Sequence, residues 1–243
     1  MITENIPPQV WFSKVCWKNG VLVSDRQLQQ IQRYVDLLLQ WNKKVNLVSR
    51  RDEKHIWQNH ILHCASLLFK LAFPKDAKVV DIGTGGGLPG IPLKILRPDL
   101  QVTMIDATQK KVNAVQSILS ELALVGISVF WGRAEEAGKK PDFIGVFDVV
   151  VARAVAPLSN LVKWSMPFLK KSDGKWAAAS DGKQEKLAVV PPVLVAMKGG
   201  ELKEEIEQVR RDKAVHGVNV VNLVYAGSEQ ILLSDKKVVL VFY

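Results

Sequence analysis

Cysteine is scarce in this chain of 243 residues, with only Cys16 and Cys64, far apart and without metal-ligand spacing around them. That excludes a disulfide scaffold and a cysteine metal site, so a reducing, cytoplasmic setting and no metal are expected. Long apolar runs are also missing. The longest, Leu187–Met197, has eleven residues and contains Pro191 and Pro192, too short to span a bilayer, so no membrane association is expected. The N-terminal stretch carries Glu4, Pro7 and Pro8 rather than a basic-then-apolar order, and no signal peptide is read there. Acidic residues are in deficit, 24 against 33 Lys and Arg, giving a net charge of +9. The balance favours a polyanion partner such as RNA, although charge alone is a weak guide. An apolar content of 48% argues against disorder. The length fits one α/β domain, or one with a modest extension.

What the chain does have is glycine in one place. Residues 78–92 read KVVDIGTGGGLPGIP. Val79, Val80 and Ile82 form a short apolar run of the kind found in buried parallel strands. It breaks into Gly83, Gly85, Gly86 and Gly87, and a helical pattern follows over Leu88–Leu96, with Pro89 and Pro92 near its start. A strand that breaks into glycines at a helix start lets the backbone approach a nucleotide that a Cβ would exclude. The plainer reading is a tight turn that binds nothing. Gly85, Gly87 and Gly90 also satisfy the dinucleotide spacing G-x-G-x-x-G. The next strand, Gln101–Asp106, ends in a carboxylate that can accept both hydroxyls of a ribose. That contact identifies an adenosine, whether of NAD or of S-adenosylmethionine.

The wider pattern separates the two. DIGTGGGLPGIP, MIDATQKK (104–111), RAEE (133–136), FDVVVARAVAPL (147–158) and AMKGG (196–200) together resemble one family closely. It is the bacterial 16S rRNA (guanine-N7) methyltransferase family, ribosomal RNA small subunit methyltransferase G, historically called glucose-inhibited division protein B. The resemblance runs from about Ser24 to about Val209. It implies S-adenosyl-L-methionine as cofactor, 16S ribosomal RNA in the small ribosomal subunit as partner, and a monomer. It implies a Rossmann-like α/β fold with a mostly parallel seven-stranded sheet and an N-terminal helical extension. The expected division is 1–75 for the extension and 76–243 for the methyltransferase domain. The implied cofactor contacts are Gly83, Gly85, Leu88, Asp106, Ala107, Thr108, Ala134, Glu135 and Arg153. In that scheme the amides of Ala134 and Glu135 meet the base edge, and Leu88 covers its face.

Elsewhere the reading is coarser. Residues 1–23 show no period and read as a loosely attached lead-in. Ser24 and Gln27 form a capping box for a helix to about Trp41. A second helix is expected from Asp52 to about Phe73. Between them, WNKKVNLVSRRDEK (41–54) has five bases against two acids and is either a solvated linker or an RNA contact. His60 and His63 stand three apart; His63 and Cys64 replace the Asp-Ser usual in the family, and a hydrogen-bonded buried histidine is the expected state of His60. Further strands are expected at Ile127–Trp131, Phe147–Ala152 and Val193–Met197. An insertion is expected near 172–192, and Val218–Val224 with Lys237–Tyr243 are expected as an antiparallel edge hairpin. Lys236 and Lys237 stand where the family usually has an arginine-bearing word.

Guanine N7 has a free lone pair, so the implied chemistry needs no general base. No catalytic residue is assigned; Arg153 and Lys198 are candidates for orienting the base. The alternatives are an NAD(P)-dependent oxidoreductase, which the glycines and Asp106 allow, and a nucleic-acid-binding module with a vestigial cofactor fold.

Overall fold

The computed structural model describes residues 6–171, 186–227 and 235–243. The insertion expected near 172–192 lies for the most part outside the described residues.

The sheet strands are β2 (Lys78–Ile82), β3 (Gln101–Asp106), β4 (Ile127–Trp131), β5 (Val149–Arg153), β7 (Val193–Gly199), β8 (Gly217–Asn222) and β9 (Lys236–Phe242); β1 (Leu71–Ala72) and β6 (Leu187–Ala188) pair separately. The seven-stranded order is β4-β3-β2-β5-β7-β9-β8. β2 pairs in parallel with β3 and β5, and β5 in parallel with β7. β9 runs antiparallel to both β7 and β8, so the expected edge hairpin has its second strand on the inside. The chain order reverses between β2 and β5. In such sheets ligands bind outside the carboxyl ends of the strands at that point.

Period-two alternation sorts the strand residues between two apolar layers. Val79, Met104, Val149, Val151, Val195 and Leu240 belong to one buried cluster, and Val80, Ile82, Ile105, Val150, Leu194 and Val239 to the other. The first layer is covered by α1 (Pro8–Lys18), α2 (Asp25–Asn42), α3 (His63–Lys70), α4 (Gly90–Leu96) and α5 (Gln109–Leu122). The second is covered by α6 (Ala134–Ala137), α7 (Leu158–Ser165) and α8 (Lys203–Arg210).

The capping box forms as expected, with the Gln27 amide donating to Ser24 Oγ at 3.3 Å. The Gln27 side chain then reaches the Ile95 carbonyl at 2.8 Å, tying α2 to α4.

The structure departs from the sequence expectations at three places. Residues 8–18 are a helix, not a loose lead-in. Pro8 occupies its first turn, where a missing N–H costs nothing, and Phe12, Val15 and Cys16 are buried. The segment expected as one helix to Phe73 has three geometries. It is 3₁₀ over Arg50–His55, π over Trp57–Leu62 and α over His63–Lys70, and Leu71–Ala72 then pair with Leu187–Ala188. α4 begins at Gly90 rather than Leu88, with Pro89 as its N-cap; the Leu88 amide closes a separate turn on the Thr84 carbonyl.

Candidate functional site

The glycine loop leaves β2 and stays fastened to β3. The amides of Gly83 and Thr84 both donate to the Ile105 carbonyl, at 2.8 and 3.0 Å. Gly83 has φ +69°, and a Cβ there would lie 2.6 Å from Val155 Cγ2. Gly85 has φ +59°, yet a Cβ on it would meet nothing closer than the Leu47 carbonyl at 3.9 Å. Gly85 is therefore required by backbone conformation, and its other side is open. Its amide donates to Asp106 Oδ2 at 2.9 Å, while Thr108 N donates to Oδ1 at 2.8 Å. Each Asp106 oxygen keeps a second lone pair for a ligand.

Beneath the loop lies Asp81, fully buried. Its Oδ2 accepts from Thr84 Oγ1 at 2.6 Å and from Gly90 N at 2.9 Å, and its Oδ1 has no partner among the described residues. Burial pushes its carboxyl up to about 6, against those two hydrogen bonds and the Arg153 charge.

On the far side of Asp106, β4 runs alongside with Trp131 opposite it, and Trp131 Nε1 donates to the Ala107 carbonyl at 3.1 Å. Ala134 and Glu135 head α6, where the first amides have no intrahelical acceptor. Leu88 is buried in the core.

Arg153 and Lys198 line a cavity of about 400 Å³ at the carboxyl ends of β5 and β7; Arg153 follows Ala152, which pairs with Ile82 just before the glycine loop. Asp52, His60, His63 and Lys236 line the same space. Arg153 Nη2 lies 3.0 Å from His60 Nδ1. Lys198 Nζ is held by Glu205 Oε2 at 2.9 Å and the Ala156 carbonyl at 3.2 Å. Burial, then the Arg153 charge, draws His60 down to about 4 and His63 down to about 3, so both are neutral at pH 7. The described residues include no group of three or more His, Cys, Asp or Glu placed to hold a metal, and no helix long and apolar enough to cross a membrane.

Of the residues singled out from sequence, Gly85, Asp106 and Thr108 are joined by hydrogen bonds, with Gly83, Ala107, Ala134 and Glu135 along the same sheet edge. Arg153 and Lys198 form a second group with a different lining. Sequence reasoning missed Tyr34, whose hydroxyl donates to the Gly86 carbonyl at 2.9 Å, and Asn42, whose Oδ1 accepts from the amides of Leu47 and Val48. Tyr34 stands in no motif, and Asn42 lies in the 41–54 stretch, where the basic residues drew the reading. It also missed Lys236 in the cavity, although the basic pair at 236–237 was a visible signal.

A family model described as rRNA small subunit methyltransferase G matches residues 27–188. The chain belongs to that family. It is 37% identical over 203 residues to the ribosomal RNA small subunit methyltransferase G of Exiguobacterium sibiricum, covering 84% of this chain and 77% of that one. It is 35% identical over 181 residues to the enzyme of that name from Moorella thermoacetica, covering 74% and 75%. Among solved structures, the crystal structure of a fibrillarin/Nop5p complex superposes with a TM-score of 0.52 at 13% identity, covering 74% of this chain and 79% of that one. That likeness speaks to the fold alone. Membership of the rRNA small subunit methyltransferase G family makes the chain an S-adenosylmethionine-dependent methyltransferase, and the oxidoreductase reading has no support.

Proposed function

We propose that this protein, acting as a cytoplasmic monomer, transfers a methyl group from S-adenosyl-L-methionine to N7 of a guanine in 16S ribosomal RNA of the small ribosomal subunit. The observation that carries the reading is the Gly85 amide on Asp106. It links an open glycine turn to the carboxylate that ends the neighbouring strand β3, beside the point where the strand order reverses.

In this reading Asp106 accepts the ribose hydroxyls with its remaining lone pairs. The amides of Ala134 and Glu135 meet the adenine edge, with Ala107 and Thr108 around the base; Leu88, buried in the core, packs behind the glycine loop and not on the base. Gly83 and Gly85 let the backbone lie close to the methionine part, and Arg153 takes its carboxylate. Bound S-adenosylmethionine supplies an electrophilic methyl on a sulfonium. The chain's own residues then have a positioning task, since N7 attacks with a lone pair that carries no proton. The work is to hold N7 in line and about 3 Å from the methyl carbon. The low-lying His60 and His63 agree with that, because neither is tuned to accept a proton near pH 7.

The target base must leave its stack to reach a pocket. The cavity beyond Arg153 is the place for it, and Lys198, fixed by Glu205 and Ala156, is a donor for O6. The 1–75 extension has two tasks in this reading. It backs the glycine loop through Tyr34 and Leu47, and it offers the exposed Lys43, Lys44, Arg50, Arg51 and Lys54 to RNA.

Calorimetric titration separates this reading from the oxidoreductase. S-adenosylmethionine should bind, with NAD giving no heat at the same concentrations. NAD binding with no S-adenosylmethionine binding would overturn it.

A further inference from the structure

Arg153 has an unusual situation for a partly buried guanidinium. Among the described residues it makes no ion pair, and its Nε is buried without a partner. Its side-chain contact is His60 Nδ1 at 3.0 Å. An arginine has donors and no acceptor, so His60 must present a lone pair at Nδ1 and carry its proton at Nε2. That Nε2 lies 3.4 Å from Asp52 Oδ2, a close approach of opposite polarity that does not close into a hydrogen bond. Asp52 is held in turn by Asn59 Nδ2, which donates to its other oxygen at 2.9 Å.

The backbone geometry supports the arrangement. Asn59 and His60 lie on the π-helical turn Trp57–Leu62, and such turns are frequent at functional sites. The 3₁₀ segment Arg50–His55 brings Asp52 back against it. His60 is 9% exposed, and burial with the Arg153 charge keeps the ring neutral, the only state in which Nδ1 can accept.

We propose that His60, with the Asp52 carboxylate beside its Nε2, is a positioning residue that sets the Arg153 guanidinium for the carboxylate of the cofactor. This rests on the reading of Arg153 given above. Lys198 needs no such device, because Glu205 already holds it. A guanidinium on a free arginine stem loses rotamer entropy on binding, and the His60 contact removes part of that loss in advance.

The test compares two neutral adenosine thioethers. S-adenosylhomocysteine carries the amino-carboxylate tail; 5′-methylthioadenosine lacks it. Affinities of both are measured by calorimetry for the full chain and for Arg153→Gln, His60→Leu and His60→Gln. Arg153→Gln should weaken S-adenosylhomocysteine about tenfold or more and leave 5′-methylthioadenosine unchanged. His60→Leu should show the same selective loss, about fivefold. His60→Gln should restore most of it, since an amide oxygen can accept from the guanidinium. If His60→Leu does not fold, Asp52→Ala, at the half-exposed end of the chain of contacts, should give a smaller loss with the same selectivity.

An Arg153→Gln variant that affects both ligands alike, or neither, overturns the reading of Arg153 and the proposal with it. Selective loss in Arg153→Gln with none in His60→Leu or Asp52→Ala leaves Arg153 in place and overturns the role of His60. Equal weakening of both ligands by His60→Leu, unrescued by glutamine, makes His60 a packing residue only.

Discussion

The Tyr34 hydroxyl donates to the Gly86 carbonyl at 2.9 Å, joining the middle of α2 to the glycine loop. Gly86 is also the place where the extension comes closest, since a Cβ there would lie 2.7 Å from Leu38 Cδ1 and 3.2 Å from Leu47 Cβ. The helical extension thus forms the back wall of the loop that the cofactor is proposed to use. Tyr34→Phe keeps the ring and removes the donor from a buried carbonyl, so stability should fall by about 1–2 kcal/mol. S-adenosylmethionine affinity should fall with it. Thermal melts and titration check both, and an unchanged melt would show that the bond does not hold the loop.

Asp106→Ala removes the acceptor shared by the Gly85 and Thr108 amides. S-adenosylmethionine binding should weaken by about 1.5–3 kcal/mol, as charge-assisted bonds are lost. The fold should survive, because the residue ends β3 at the open cleft. Wild-type affinity in a folded variant would remove Asp106 from the site.

Asp81 makes a pH prediction. Its carboxyl sits at about 6 in the folded chain, against about 3.9 for an unperturbed one. Between those values the folded state holds the proton and the unfolded state does not. The group's contribution to stability is therefore full below about pH 4 and is lost as pH rises through about 6. Asp81→Asn does not titrate, so it should gain on the wild type across that window by up to about 3 kcal/mol. Urea melts from about pH 4 to 7 read the difference; a flat difference would mean the buried carboxyl titrates normally.

Parts of this were legible in the sequence because they are local. A β-branched run breaking into glycines predicts the β2 turn, and the apolar run ending in Asp106 predicts its partner strand. Ser24 and Gln27 announce the α2 cap within four residues. What escaped depends on contacts distant in sequence. α1 gives little periodic signal, and the burial of Phe12 against Trp57, with ring centroids 5.6 Å apart, is what defines its inner face. The break of 50–70 into three helical geometries has no local signal, since the stretch holds neither proline nor glycine. Lys236 enters the cavity only because β9 inserts between β7 and β8, a topological fact that no window on the sequence contains.

Lys43, Lys44, Arg50 and Arg51 are exposed, whereas Asn42, Leu47 and Val48 in the same stretch are buried. The two readings of this segment therefore divide by residue: the apolar positions pack and the basic ones are free to meet phosphates. Changing the four bases to Gln should leave S-adenosylmethionine binding intact. RNA affinity should fall, with a salt slope shallower by up to about 0.9 per lost phosphate contact on duplex, and less on single strands. An unaltered slope would direct the RNA instead along Lys110, Lys111 and Lys198.

Methyl transfer to a guanine N7 leaves a product that can be mapped on the RNA. Small ribosomal subunits lacking the modification are incubated with the protein and methyl-tritiated S-adenosylmethionine. The 16S RNA is then reduced with borohydride and cleaved with aniline, which breaks the chain at N7-methylguanosine. Label should enter the RNA with one new cleavage at a guanine, and both should be lost in Asp106→Ala. Label that enters the RNA without a new cleavage, or no label with a cofactor-binding protein, would contradict transfer to N7.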